Sequence, residues 1–191
     1  MDISKKHEDH LSGENANHIL NHDTKTALLV IDVQREMFEK STPVFRADQL
    51  LSSINGLINQ AGLAQAAIVF IQHTAKNYLI KGSEGWQLHP SLNQGSEDLK
   101  IFKEHGNAFE GTELHAFLTK EGIGRVVACG LVTHGCVKST CLGAQELGYQ
   151  VVLAGDAHSS YSADAEKMIE KWNQQLNRAG VEVKNSTQIT F

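Results

Sequence analysis

Three residues in this chain are of types that together can cleave a carbonyl compound through a covalent intermediate: Asp32, Lys103 and Cys136. A cysteine can attack a carbonyl carbon once a base has taken its proton, and a carboxylate can be that base. A lysine beside the pair holds the carboxylate charged and lowers the thiol pKa. Each of the three follows its own apolar run: TALLVI before Asp32, LKIF before Lys103, and VVAC a few residues before Cys136. Successive apolar positions read as strands covered on both faces, as in a parallel sheet. In such sheets ligands bind outside the carboxyl ends of the strands. That placement brings the three residues to one edge, whereas each alone has an ordinary reading. Asp32 is either a reacting carboxylate or a cap for the following turn, and Cys136 is either a nucleophile or one more buried cysteine.

The elements that would position these residues alternate along the chain. After the Asp32 strand, Asp48–Gly62 has the period of an amphipathic helix, with Leu50, Leu51, Ile54, Leu57, Ile58 and Ala61 on one face. AAIVFI (66–71) is a second buried strand. The segment 77–94 is a long irregular connection, functional or mobile, in which Trp86 either covers a pocket or anchors the loop. LKIFK (99–103) is a short strand, and a helix follows Thr112, its expected N-cap. In RVVACGLVTHGCVKSTCLGAQELG a strand stops at Gly130, a turn carries Cys136, and a helix runs from Cys136 to Gly148. A helix start there supplies unpaired amide donors and a dipole that favours thiolate over thiol. A strand at 149–153, a helix at 164–179, a strand at 181–183 and a further strand at 188–191 complete the pattern. Strand–helix alternation argues an α/β domain with helices on both faces of a parallel sheet. Residues 24–191 form that domain, and 1–23 are a polar arm.

Bulk properties narrow the function. The 191 residues are 41% hydrophobic and 20% charged, with a formal net charge of -5, as expected of a soluble globular domain. There is no long basic run, which argues against nucleic acid, and no apolar stretch long enough to span a membrane. The first residues lack the apolar region of a secretory signal, so a cytoplasmic location is expected. Three cysteines do not make a disulfide framework; Cys129 reads as core. A redox role for Cys136, with Cys141 resolving it, lacks a CxxC pair. The four histidines of the arm, His7, His10, His18 and His22, match no metal-ligand spacing.

Three segments carry a resemblance. ALLVIDVQREMF, IFKEHGNAFEGTEL and VVACGLVTHGCVKSTCLGAQELGYQVVLAGDA, in that order, resemble the isochorismatase-like cysteine hydrolase superfamily, which includes nicotinamidases and N-carbamoylsarcosine amidase. The likeness runs from about Thr26 to about Tyr161. It implies a three-layer αβα, Rossmann-like domain around a mostly parallel six-stranded sheet, and a homodimer or homotetramer. It also implies a triad of Asp32, Lys103 and Cys136, a cis peptide between Leu131 and Val132, and an oxyanion hole from the amides of Val132 and Cys136. The expected activity is hydrolysis of a small-molecule amide through a thioester, without a cofactor. The alternatives are vinyl ether hydrolysis of the isochorismatase type, which needs no cysteine, and a binding module that keeps the fold. Metal-dependent nicotinamidases carry Asp-x-His after the second strand; His73-Thr74-Ala75 stands here, so no metal is expected and His73 reads as a pocket or structural histidine. Gln34, Phe38, Trp86, Phe109 and His158 are candidate substrate contacts, Phe38 and Phe109 foremost because they follow triad residues closely.

Overall fold

The computed structural model describes residues 24–96 and 98–191. Six strands form one sheet: β1 (Lys25–Ile31), β2 (Ala67–His73), β3 (Leu99–Lys103), β4 (Ile123–Leu131), β5 (Gln150–Ser159) and β6 (Glu182–Lys184). Their order is β3-β2-β1-β4-β5-β6 and every pairing is parallel. Five helices surround it: α1 (Arg35–Phe38), α2 (Ala47–Leu63), α3 (Leu114–Lys120), α4 (Lys138–Glu146) and α5 (Ala165–Arg178).

The continuous apolar runs are explained by a core on each face. Along β1, Leu28 and Val30 join the core built with α2, while Ala27, Leu29 and Ile31 join the core built with α3, α4 and α5. All six expected apolar positions of α2 are buried. With about 25 cal/mol gained per Å² of apolar area removed from water, a strand apolar on both faces contributes twice, which a half-exposed strand cannot. The result is three layers. The strand order reverses between β1 and β4, and in doubly wound sheets the carboxyl ends at that reversal flank the crevice.

Several boundaries differ from the sequence expectation. β4 does not stop at Gly130; it passes through to Leu131. Gly130 takes φ +117, and a Cβ there would fall on the Ile31 carbonyl oxygen, so only glycine lets β4 lie this close to the end of β1. β5 likewise continues through Gly155–Ser159, past a register shift that pairs Gly130 with His158. Thr112 precedes α3 by two residues, its hydroxyl accepting from Leu114 N (3.2 Å) and donating to Ala108 O (2.6 Å). The segment 188–191 adds no strand, because the chain turns at Ser186–Gln188 instead. The arm expected at residues 1–23 lies outside the described residues. No helix among those described is long and apolar enough to cross a membrane.

Candidate active site

β1, β3 and β4 each deliver one chemical group to the same edge. Asp32 follows β1 in a left-handed conformation (φ 51), a region that aspartate tolerates better than most residues. Its N–H still bonds Ile71 O at 2.9 Å, and this fixes the turn to β2. Its side chain does not cap the next turn: Oδ2 accepts from Lys103 Nζ at 2.8 Å, with both side chains almost fully buried. Lys103 ends β3, and its ammonium has three acceptors: Asp32 Oδ2, His105 O at 3.1 Å and His73 Nδ1 at 3.2 Å. Burial pushes the Lys103 ammonium down, but the Asp32 carboxylate and Cys136 together outweigh it, and the net shift is upward. It is a fixed positive charge.

Cys136 lies in a wide turn, Thr133–Val137, between β4 and α4. The Leu131–Val132 peptide that opens this turn is cis, as the resemblance implies. The Val132 carbonyl accepts from both Gly135 N (3.0 Å) and Val137 N (3.3 Å). The second of these is an i to i+5 bond, a π-type turn of the kind found at functional sites. α4 begins only at Lys138, two residues later than the helix expected from Cys136. The thiol is shifted in the direction opposite to the one a helix start would favour. Burial, then the Asp32 charge, raise Cys136 to about 12, against a smaller lowering by Lys103. At neutral pH the resting group is therefore a thiol beside a carboxylate. Asp32 Oδ1 is buried without a hydrogen-bond partner among the described residues, and it is the carboxylate oxygen left over for that proton.

His73 joins this group. One donor atom each from Asp32, His73 and Cys136 lies within 4.8 Å of the others. The three are of types that hold a soft divalent cation, but the Lys103 ammonium already bonds both Asp32 and His73, and a cation would meet that charge. His73 is lowered by burial and then by Lys103, so it is neutral at neutral pH.

The other expected contacts divide. Gln34 is fully buried and its amide is spent on the backbone. Oε1 accepts from His73 N, and Nε2 donates to His73 O and Trp86 O. Trp86 is buried and donates from Nε1 to Thr74 Oγ1 (3.0 Å), so it anchors the long loop. Phe38 packs against His89 in a tilted arrangement, ring centroids 4.4 Å apart. Phe109 packs in the same core as Cys136 and against Tyr149. His158 is buried: Nε2 faces Asn173 Oδ1 at 2.8 Å and Nδ1 faces Thr133 Oγ1 at 2.9 Å. It braces the Cys136 turn from behind. A cavity of about 180 Å³ near β5, lined in part by Phe45, Arg46, Asp156, His158 and Glu166, includes none of the three candidate residues. The residue that sequence reasoning missed is Tyr78, whose hydroxyl lies 3.2 Å from His73 Nε2. No local sequence signal marks it, since its role depends on the long-range contact with His73.

The Isochorismatase domain model matches residues 26–182. The chain belongs to the isochorismatase family. Among curated isochorismatase relatives, a streptothricin hydrolase of Streptomyces noursei is 33% identical over 73% of this chain and 51% of its own length. The chain thus spans about half the length of the streptothricin hydrolases it matches. The uncharacterized isochorismatase family protein YddQ of Bacillus subtilis (strain 168) is 27% identical, covering 75% of this chain and 83% of its own. A crystal structure of an isochorismatase family protein superposes with a TM-score of 0.80 at 28% identity, covering 84% of this chain and 98% of that one. The structural match agrees with the all-parallel six-stranded sheet.

Proposed function

We propose that this chain is a cysteine-dependent hydrolase of a small amide, with Asp32 as the proton carrier, Cys136 as the nucleophile and Lys103 as the charge anchor. Asp32 Oδ1 takes the Cys136 proton as sulfur bonds the carbonyl carbon. The backbone amides of Val132 and Cys136 hold the oxyanion, a contribution of roughly 10²–10³ in rate per donor. Asp32 returns the proton to the departing nitrogen, and the C–N bond breaks to leave a thioester. Water then adds to that carbonyl and gives its proton to Asp32. The C–S bond breaks, the carboxylic acid leaves, and Asp32 reprotonates the sulfur. The observation that carries the reading is the division of the Asp32 carboxylate, with Oδ2 bound to Lys103 and Oδ1 unpartnered near a protonated thiol.

The test is ammonia or amine release from a panel of small amides, ureides, nicotinamide and streptothricin, with intact-protein mass spectrometry during turnover. Cys136→Ala abolishes release and Asp32→Asn nearly does. Full activity in either variant, or substrate mass on Cys129 or Cys141 with Cys136 free, rejects the scheme.

A further inference from the structure

The hydrogen-bond chain that leaves Lys103 ends at Tyr78, and donor rules fix its direction. An ammonium can only donate, so Lys103 gives a proton to His73 Nδ1 at 3.2 Å. A neutral His73 then carries its own proton on Nε2, which is 3.2 Å from Tyr78 Oη. The tyrosine oxygen is therefore the acceptor in that bond. Its O–H proton remains, and it has no acceptor among the described residues.

The hydroxyl is held, not dangling. The Tyr78 ring stacks on His73 with centroids 5.7 Å apart, and Lys40 Nζ sits over the ring, 5.4 Å from its centre. The next residue, Leu79, is buried with φ 47, and its N–H bonds Glu36 Oε2 at 2.7 Å. Glu36 also pairs with Lys40 at 3.5 Å. The short helix α1 thus clasps the loop and presents Tyr78 at the solvent side of the site. Burial, the largest cause, raises the tyrosine hydroxyl above its ordinary value, so it is a donor at neutral pH. His73, which it touches, has a ring nitrogen within 4.8 Å of the Cys136 sulfur.

Resting on the reading of Cys136 as nucleophile, we propose that Tyr78 is the specificity-determining donor of this site, selecting small amides that carry a hydrogen-bond acceptor, such as a ring nitrogen or second carbonyl, close to the scissile carbonyl. A substrate bonded to Cys136 then accepts, in place of water, the one proton that the Lys103–His73–Tyr78 chain leaves over, and a purely hydrocarbon neighbour offers no such acceptor. The preference is the modest net worth of one hydrogen bond exchanged with water.

The test needs no turnover. Aldehydes add reversibly to a thiol, so benzaldehyde and the three pyridinecarbaldehydes are compared as protectants of Cys136 against alkylation, read by mass spectrometry. The wild type and Tyr78→Phe, which removes one exposed oxygen, are measured in parallel. Because intrinsic aldehyde reactivity cancels between the two proteins, only the ratio of pyridine to benzaldehyde protection is interpreted. A net hydrogen bond of about 0.5–1.5 kcal/mol predicts that at least one pyridine isomer loses roughly 2- to 13-fold of its advantage in Tyr78→Phe. Unchanged ratios for all three isomers overturn the donor role and leave the nucleophile assignment standing. Failure of every aldehyde to protect Cys136 removes the nucleophile assignment and this proposal with it.

Discussion

Replacing Lys103 by methionine probes the charge arrangement most directly. The methionine fills much of the lysine volume but removes an ammonium that donates to Asp32 Oδ2 at 2.8 Å, to His105 O at 3.1 Å and to His73 Nδ1 at 3.2 Å. Asp32 is only 2% exposed and its other oxygen has no hydrogen-bond partner among the described residues, so the variant buries a bare carboxylate. Breaking a buried pair from one side costs about 3–5 kcal/mol. That is a large fraction of the roughly 5–15 kcal/mol that holds a domain together. Urea unfolding at pH 7 should show this loss, and the loss should shrink as pH falls, because protonating the orphaned carboxylate removes the buried charge. The double variant Lys103→Met/Asp32→Asn removes both charges and should recover to within about 1 kcal/mol of the wild type, since neutral replacement of a buried pair is often tolerated. Both variants should lose activity, by roughly 10²-fold or more for a displaced proton carrier. Stability and activity therefore part company in the double variant. A single variant within about 1 kcal/mol of wild type, or a double variant as unstable as the single, refutes the reasoning.

Four other outcomes follow from the structure. Because Cys136 is raised to about 12 by burial and then by Asp32, its iodoacetamide reaction should keep accelerating above pH 9 in Asp32→Asn and wild type alike; a plateau near the ordinary cysteine value of about 8.5 contradicts the burial. His158 is lowered to about 4 from 6.5 by burial, against a smaller raising by Asn173. Its unfolded form binds more protons between those values, so it contributes stability above pH 6.5 that is lost as pH falls toward 4. The size is about 3 kcal/mol, and chemical denaturation of wild type against His158→Asn across that window should show the slope only in the wild type. Gly130→Ala should sharply reduce soluble yield and thermal stability, since its Cβ meets backbone at φ +117, at a cost beyond the roughly 1–3 kcal/mol of such a conformation alone. Gly56→Ala, with nothing within 4 Å of its Cβ inside α2, should instead gain about 0.5–1 kcal/mol.

The strands were legible because burial on both faces forces apolar residues at successive positions, and TALLVI and AAIVFI have no other economical reading. The same logic reached Asp32 and Lys103, which end such runs. It failed where long-range pairing decides the conformation. Gly130 reads as a terminator, yet β4 continues through it because β1 lies too close for any side chain. β5 reads as ending near Leu153, yet a register shift lets β4 carry it to Ser159. Gln34 reads as a candidate substrate contact, and Trp86 as either a pocket cover or a loop anchor, a choice that local pattern leaves open. Their hydrogen bonds to His73 and Thr74 are made across elements that no local pattern connects. Tyr78 was invisible for the same reason, since its meaning lies in what His73 and Lys103 do.

The protonation of Cys136 ties these features together. A helix start two residues nearer would favour thiolate, but the wide turn Thr133–Val137 delays α4 to Lys138 and the thiol is buried beside a carboxylate. Lys103 donates to Asp32, His73 and the His105 carbonyl and also acts on Cys136, lowering the thiol against the larger raising by burial and Asp32. In the proposed mechanism the Cys136 proton goes to Asp32 Oδ1, which is buried without a partner among the described residues. A site built this way keeps the sulfur protonated until a carbonyl arrives, and the base that removes the proton is the group positioned to hand it to the leaving nitrogen. A pre-formed thiolate would leave Asp32 without that proton and the amine without a donor. For an amide, whose nitrogen leaves poorly unless protonated, the raised thiol is the arrangement the chemistry requires.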